Sequence, residues 1–387
     1  MEYNEYNKII SVAITMHKYC APSKSGESGT CFSHDALHKM AEAWNKEYPD
    51  QVISSSKSKK ALWKEIRKRM IAQAPCDEDY CLLDMPLVKE ASDRDMRSNT
   101  FRPEMPKDWI HKPKAWLSTI DIRQVLLQYS KHNAELLFIG PVPIDFDHKI
   151  SFGQCVVSEL CNLNLEDQYQ AGKRYIGIVF NLDPHHMPGS HWVSLFVNMK
   201  NGGIYFFDSV GKFPVDEISK LMCRLRKQGN QLFIQQQIEM NSFSQEHAMS
   251  FPIKQVTDGQ VDLDGSITVP PYAKGMPIIF DYQEQDGGRT TASIRDITGN
   301  TLYLDNIQET RGGTNTTPST IVVMGFRLFY NDIRHQSMNT ECGVYSIYFI
   351  DCLLAGDSFR SFTKKLIKDN EMNKKRKIYF RPFRKKS

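Results

Sequence analysis

Residues 339–350 read Asn-Thr-Glu-Cys-Gly-Val-Tyr-Ser-Ile-Tyr-Phe-Ile. Val344, Ile347 and Tyr348 recur at helical spacing, so the stretch predicts a buried helix that opens at Cys342. A helix N-terminus favours the thiolate form of a cysteine, the form that acts as a nucleophile. A cysteine in an apolar helix is most often plain core, and Cys155, Cys161, Cys223 and Cys352 take that reading. Cys342 is set apart by three polar residues upstream. Gln336 stands six positions earlier, in the loop Ile333-Arg334-His335-Gln336-Ser337. His191 opens a strand, Gly-Ser-His-Trp-Val-Ser-Leu-Phe (189–196), and Asp208 closes the next one, Tyr-Phe-Phe-Asp (205–208). The turn Asn201-Gly202-Gly203 joins these strands, so the carboxylate can reach the imidazole and hold it in one tautomer. Gln336 and the Cys342 backbone N–H could then donate to an oxyanion. Taken singly, His191 reads as structural and Asp208 as a turn former; the set of four in this order asks for a chemical explanation.

Around these residues the chain changes texture. The first 130 or so residues predict helices: one capped by Ser33 with Leu37, Met40, Ala41 and Trp44 inward, a second with Leu62, Ile66 and Met70 inward and a basic, solvated opposite face, and a third capped by Ser118. Strands are expected at Leu136–Ile139, 174–182, 192–198, 204–208 and 321–329, with helices over 215–227, 343–354 and 358–370. Residues 252–319 are rich in Gly, Thr and Asp and read as a β-rich insertion between Asp208 and Gln336. Between Gln255 and Glu309 it carries nine acidic and three basic residues, a net of −6, which suits either a surface decoration or an exosite flap. Its Gly287-Gly288 and Gly312-Gly313 pairs read as flexible turns, with self-cleavage as the sharper alternative.

The 387 residues are 41% hydrophobic and 24% charged, with a formal net charge of +4. That composition fits a soluble globular chain of about two domains. No apolar run reaches the roughly 18–20 residues of a membrane span, and the acidic N-terminus (MEYNEYNK) does not resemble an export signal. Nine dispersed cysteines are then read as reduced, intracellular thiols. The near-neutral average hides segregation: residues 363–387 hold eleven basic and two acidic side chains, a net of +9, with Tyr379, Phe380 and Phe383 among them. This tail is a candidate for phosphate backbones or for nuclear localisation, and otherwise a solvated tail. No cofactor or metal is expected. Cys76/Cys81 and Cys20/Cys31 with His17, His34 and His38 match no zinc-finger spacing, and His185-His186 beside Pro184 reads as a substrate-side loop.

The constellation resembles the ubiquitin-like-protein proteases, the cysteine-protease clan that includes the SUMO proteases and adenain. That family runs His, Asp or Asn, Gln, Cys, with Trp after the His, Ser after the Asp, Gln six residues before the Cys, and the Cys inside (Asp/Glu)-Cys-Gly. His191-Trp192, Asp208-Ser209, Gln336 and Glu341-Cys342-Gly343 meet each element. The stretches 138–146, 176–196 and 328–350, and more loosely 31–45, resemble the virion-maturation proteases of large nucleocytoplasmic DNA viruses.

The resemblance implies an α+β fold of adenain/SUMO-protease type, with a central mixed β-sheet flanked by helices. It implies a helical N-terminal arm (1–117), a catalytic domain (118–370) carrying the acidic β-rich insertion at about 241–319, and a basic tail (371–387). It further implies a nucleophile in Cys342, a base in His191, an orienting acid in Asp208 and an oxyanion donor in Gln336, with Trp192 lining the substrate cleft. The implied substrates are virion precursors cut after Gly-Gly-like pairs, in the virion and in host cytoplasm or virus factory, with the nucleus as a further compartment. Trp192 supplies a reason for that preference: under an indole roof, only residues lacking a Cβ thread through. Rival readings are a SUMO- or ubiquitin-deconjugating enzyme, an acetyltransferase on the same scaffold, and an inactive virion or nucleic-acid-binding module.

Overall fold

The computed structural model describes residues 19–22, 29–55, 57–73, 78–235, 249–257, 259–264, 277–281, 289–310, 318, 320–323 and 325–382. The chain forms two compact units. One comprises residues 1–134, 336–348 and 367–387, and the other 135–335 and 349–366. This grouping differs from the arm, catalytic-domain and tail division expected from the sequence. The segment bearing Gln336 and Cys342 groups with the N-terminal and C-terminal residues.

The first unit is helical. In α1 (His34–Glu47) the Ser33 hydroxyl accepts the Ala36 N–H, and Leu37, Met40, Ala41 and Trp44 turn inward as their spacing requires. Helix α2 (Lys59–Ile71) buries Leu62, Trp63, Ile66 and Met70. Its charged face is laced to Glu65, which pairs with both Lys57 and Arg69. Two short helices follow: α3 (Pro86–Ala91), begun by a proline whose missing N–H has no partner to lose there, and α4 (Arg94–Asn99), capped by Asp93. Phe32, Tyr80 and Phe101 close the core edge to face. Helix α5 (Thr119–His132) starts on a reciprocal Ser118/Asp121 capping box.

The second unit is built on a five-stranded mixed sheet: β1 (Leu136–Pro143), β2 (Tyr175–Asn181), β3 (Trp192–Asn198), β4 (Gly203–Phe207) and β11 (Arg327–Tyr330), in that spatial order. β2, β3 and β4 form an antiparallel meander, while β1 and β11 pair parallel on its two sides. Two short helices, α6 (Ser158–Cys161) and α7 (Leu165–Gln170), bridge β1 and β2. Helix α8 (Asp216–Gln235) lays Ile218, Leu221, Met222, Leu225 and Leu232 into the core of the sheet.

The insertion is a closed six-stranded barrel. Its strands are β5 (Met249–Thr257), β6 (Gln260–Leu263), β7 (Pro277–Asp281), β8 (Arg289–Thr298), β9 (Thr301–Thr310) and β10 (Thr320–Val323), paired antiparallel in the order β10-β5-β6-β9-β8-β7. Val261, Leu263, Ile278, Phe280, Ile294, Leu302 and Ile321 form its own small core. Closure removes the free edges an isolated hairpin stack would expose. The Gly-Gly pairs considered above lie outside the described residues.

Three expectations change. The single strand read at 321–329 is two: β10 belongs to the barrel and β11 to the main sheet, with Gly325 at φ +140° and the fully buried Phe326 between them. The helix read at 358–370 ends early. After α9 (Cys342–Leu354) come α10 (Phe359–Lys364) and α11 (Asp369–Tyr379), so most of the basic tail is an ordered helix whose Met372, Arg376 and Tyr379 are buried. The cysteines are not all thiols: Cys20 pairs with Cys31, Cys155 with Cys161, and Cys81 is also disulfide-bonded. Pairing depends on which cysteines the fold brings together, a distance that sequence spacing does not report. Among the described residues, no helix is long and apolar enough to cross a membrane.

Gly229 tests the packing of α8. Alanine in a helix interior ordinarily gains about 1 kcal/mol over glycine. A Cβ here would meet the Phe326 ring at 2.4 Å, and Phe326 is anchored because its N–H donates to the Asn230 side chain at 2.8 Å. Gly229→Ala should therefore destabilise the protein in denaturant titrations, and a gain in stability would contradict the packing.

Candidate active site

His191 is delivered by a pinched loop between β2 and β3. The Asn181 side-chain oxygen accepts the N–H groups of Asp183 (3.0 Å) and Ser190 (3.2 Å), the Ser190 hydroxyl donates to Asp183 (2.7 Å), and the Leu182 N–H donates to the His191 carbonyl (3.0 Å). Gly189 is required in this pinch: its φ is +99° and a Cβ would fall 2.3 Å from the Asn181 amide nitrogen. The loop hands the chain to β3, where Trp192 is buried opposite Asn181.

Asp208 follows β4, and its Oδ1 lies 2.7 Å from His191 Nε2. The imidazole is thus oriented by a carboxylate that is itself almost wholly out of water. The same Oδ1 accepts the Val210 N–H at 2.9 Å. Gly211, at φ +74°, turns the chain back, and a Cβ there would meet the backbone of Ile333 at 2.8 Å. The predicted pairing of His191 with Asp208 is therefore present.

Asn331 is a residue the sequence reading missed. Buried just after β11, its side-chain oxygen accepts the Asp208 N–H at 2.9 Å while its amide nitrogen donates to the Asp208 carbonyl, also at 2.9 Å. One amide grips both sides of the backbone that carries the acid. A short polar side chain directly after an apolar strand was the available signal. His335, nearby in sequence, donates its N–H to the Ser209 carbonyl and packs its buried ring against Phe207 and Phe362.

Gln336 and Cys342 lie in the helical unit, on one short segment. Gln336 is buried, with its amide donating to the Met338 carbonyl. The N–H groups of Ser337 and Met338 both donate to Asp369 Oδ2, at 3.0 and 2.8 Å. Cys342 is buried in the first turn of α9, and the Glu341 carbonyl accepts the Tyr345 N–H. Burial and the neighbouring Asp369 push the Tyr345 phenol far above its ordinary range, so it stays a neutral donor to the Ile367 carbonyl at 2.8 Å.

Arg376 is the second group that sequence reasoning missed, having counted it among the basic tail residues read as a phosphate-binding or nuclear-localisation patch, or else as a solvated tail. Its Nε donates to Glu341 at 2.7 Å, Nη1 to the Ala115 carbonyl at 2.8 Å and Nη2 to the Thr340 carbonyl at 2.9 Å, and its plane lies over the Trp109 ring. The two residues before Cys342 are thereby fixed by α11. Arg376→Ala would leave the Glu341 carboxylate buried and uncompensated, which typically costs about 3–5 kcal/mol. Replacing both partners, Arg376→Met with Glu341→Gln, should cost clearly less; chemical denaturation of the two variants compares them directly.

His335 adds a pH dependence. Burial holds its imidazole below the ordinary value of 6.5, so the unfolded chain binds the proton more readily than the folded one. Stability from this group is complete above about 6.5 and falls as the pH drops below it. A His335→Phe variant should lose less melting temperature than the parent between neutral and mildly acidic pH; parallel curves would rule the effect out.

Residues 166–258 and 316–385 match the family described as the Ulp1 protease family, C-terminal catalytic domain. The two matched segments hold His191, Asp208, Gln336 and Cys342, and the gap between them falls on barrel residues. A protein of Acanthamoeba polyphaga mimivirus named as a thiol protease is 34% identical over 237 residues, covering 55% of this chain and 74% of the relative. The crystal structure of an ASFV protease superposes with a TM-score of 0.51 at 17% identity over 95% of this chain and 96% of that one, a likeness of fold. A Ulp1 protease domain in complex with Smt3, the yeast ortholog of SUMO, matches at a TM-score of 0.34 and 12% identity, covering 69% and 76% of the two chains. The chain belongs to the Ulp1 protease family and is a cysteine protease.

Proposed function

We propose that this protease is a viral endopeptidase that matures virion structural precursors by cutting after Gly-Gly-like pairs. The observation that carries the reading is the buried Asp208 carboxylate hydrogen-bonded to His191, in a family member whose chain order then supplies Gln336 and Cys342. A virus-encoded relative, 34% identical, supports the viral assignment. With Nε2 turned to Asp208, the acid–base nitrogen of His191 is Nδ1. It takes the proton of the Cys342 thiol, and the thiolate adds to the scissile carbonyl. The oxyanion accepts from the Gln336 amide and the Cys342 N–H. His191 returns the proton to the leaving amine, and water then releases the acyl group by the same route. Trp192 restricts the residues before the cut to those without a Cβ.

The reading places the enzyme in the virion and in the host cytoplasm or virus factory, with the nucleus as a further compartment. Affinity for nucleic acid, if it accompanies cleavage, falls to exposed lysines such as Lys364, Lys374 and Lys377, because Arg376, Tyr379 and Phe380 are buried.

One experiment tests the whole. Purified protein and Cys342→Ala are incubated with Gly-Gly-X virion peptides, a SUMO-fluorophore conjugate, and acetyl-CoA with a lysine peptide. Cleavage confined to the peptides and abolished in Cys342→Ala is expected, and Trp192→Ala should accept alanine before the cut more readily than the parent. Release of the SUMO fluorophore alone would move the assignment to deconjugation, and acetyl transfer or no Cys342-dependent activity would overturn it.

A further inference from the structure

We infer that Asp145, His185 and His186 form a binding site for one divalent transition-metal ion of the zinc class. The argument begins with the donor set. One carboxylate and two imidazoles suit a borderline cation rather than calcium or magnesium. One ligand atom from each of the three lies within 4.8 Å of the others.

The site is also prepared before any ion arrives. Asp145 Oδ1 accepts the His185 backbone N–H at 2.8 Å, and its Oδ2 lies 2.6 Å from the His185 ring Nδ1. The Ile144 N–H donates to the Asp183 carbonyl at 3.2 Å, fastening the end of β1 to the same loop. Asp145 and His185 therefore have little conformational freedom left to lose on binding.

A plainer account is that the Asp145–His185 bond only docks the loop. His186 separates the two accounts, since docking makes no use of it. Its ring stands edge-on to that of His185, with centroids 5.3 Å apart. Metal–ligand bonds of about 2.0–2.1 Å place neighbouring tetrahedral donors roughly 3.3 Å apart. Accommodating the ion therefore means opening the Nδ1–Oδ2 contact by about 0.7 Å and drawing together donors that now span up to 4.8 Å. The ion replaces the proton shared there, and water completes the coordination. Because the loop is the one that delivers His191, an ion held here ties that loop to the end of β1.

The test uses the full chain in a Cys342→Ala background, with any affinity tag removed, so that neither the thiol nor a tag captures metal. Calorimetric titration with zinc chloride in a non-chelating buffer should give one equivalent bound at micromolar affinity. His186→Gln, which keeps the Asp145–His185 bond, and Asp145→Asn should each weaken binding about tenfold or more. Zinc should also raise the thermal midpoint of the parent and not of these variants. Absence of saturable binding in the parent would overturn the site, and so would affinity unchanged in both variants.

Discussion

A guanidinium taken out of water has to satisfy every donor direction or it unfolds its surroundings. Arg376, at 3% exposure, engages a carboxylate, two backbone carbonyls and an aromatic face, drawn from two stretches of chain, 109–115 and 340–341. A buried pair is weak evidence for net stability, because desolvation takes back most of the Coulomb gain. Its value is geometric. The planar fork admits one arrangement of Thr340, Glu341 and Ala115, whereas a lysine ammonium at the same place would admit several. The segment before Cys342 inherits that single arrangement, and Asp369, from the first turn of α11, fixes the segment after Gln336 by accepting two successive N–H groups. Helix α11 therefore holds the stretch 337–341 that leads into the helix start bearing the thiol.

The sheet unit solves the same problem with a neutral group. Asp208 has to be buried to orient an imidazole strongly, and a buried carboxylate needs donors. His191 and the Val210 N–H provide them, while Asn331 secures the backbone from the far side. Both units place a rigid brace behind a functional segment, and in both the brace is drawn from a stretch remote in sequence.

That remoteness marks the border of what the sequence discloses. Helix starts at Ser33 and Ser118, the inward residues of α1 and α2, and the β2–β4 meander were legible because caps, periodicity and turns are local signals. His191 and Asp208 were legible because a tight turn makes their strands neighbours. Arg376 was not, since it looks like one more charge among lysines until Glu341, 35 residues away, is seen beside it. Asn331 lies 123 residues from the acid it grips. The division of residues 321–329 between two sheets and the closure of the barrel are likewise decided by partners, as is the pairing of Cys20 with Cys31.

The barrel's first and last strands are hydrogen-bonded to each other, Met249 opposite Val323 and Pro252 opposite Thr320. A segment of some seventy residues thus leaves and re-enters the parent fold one strand-width apart. From the standpoint of the main sheet, topologically the barrel is no wider than a tight turn. Among the described residues it pairs its own strands and buries its own core. Such a module can be gained, lost or diversified without disturbing the register between β4 and β11, which gives a lineage freedom to remodel this face while the cleavage machinery stays as it is.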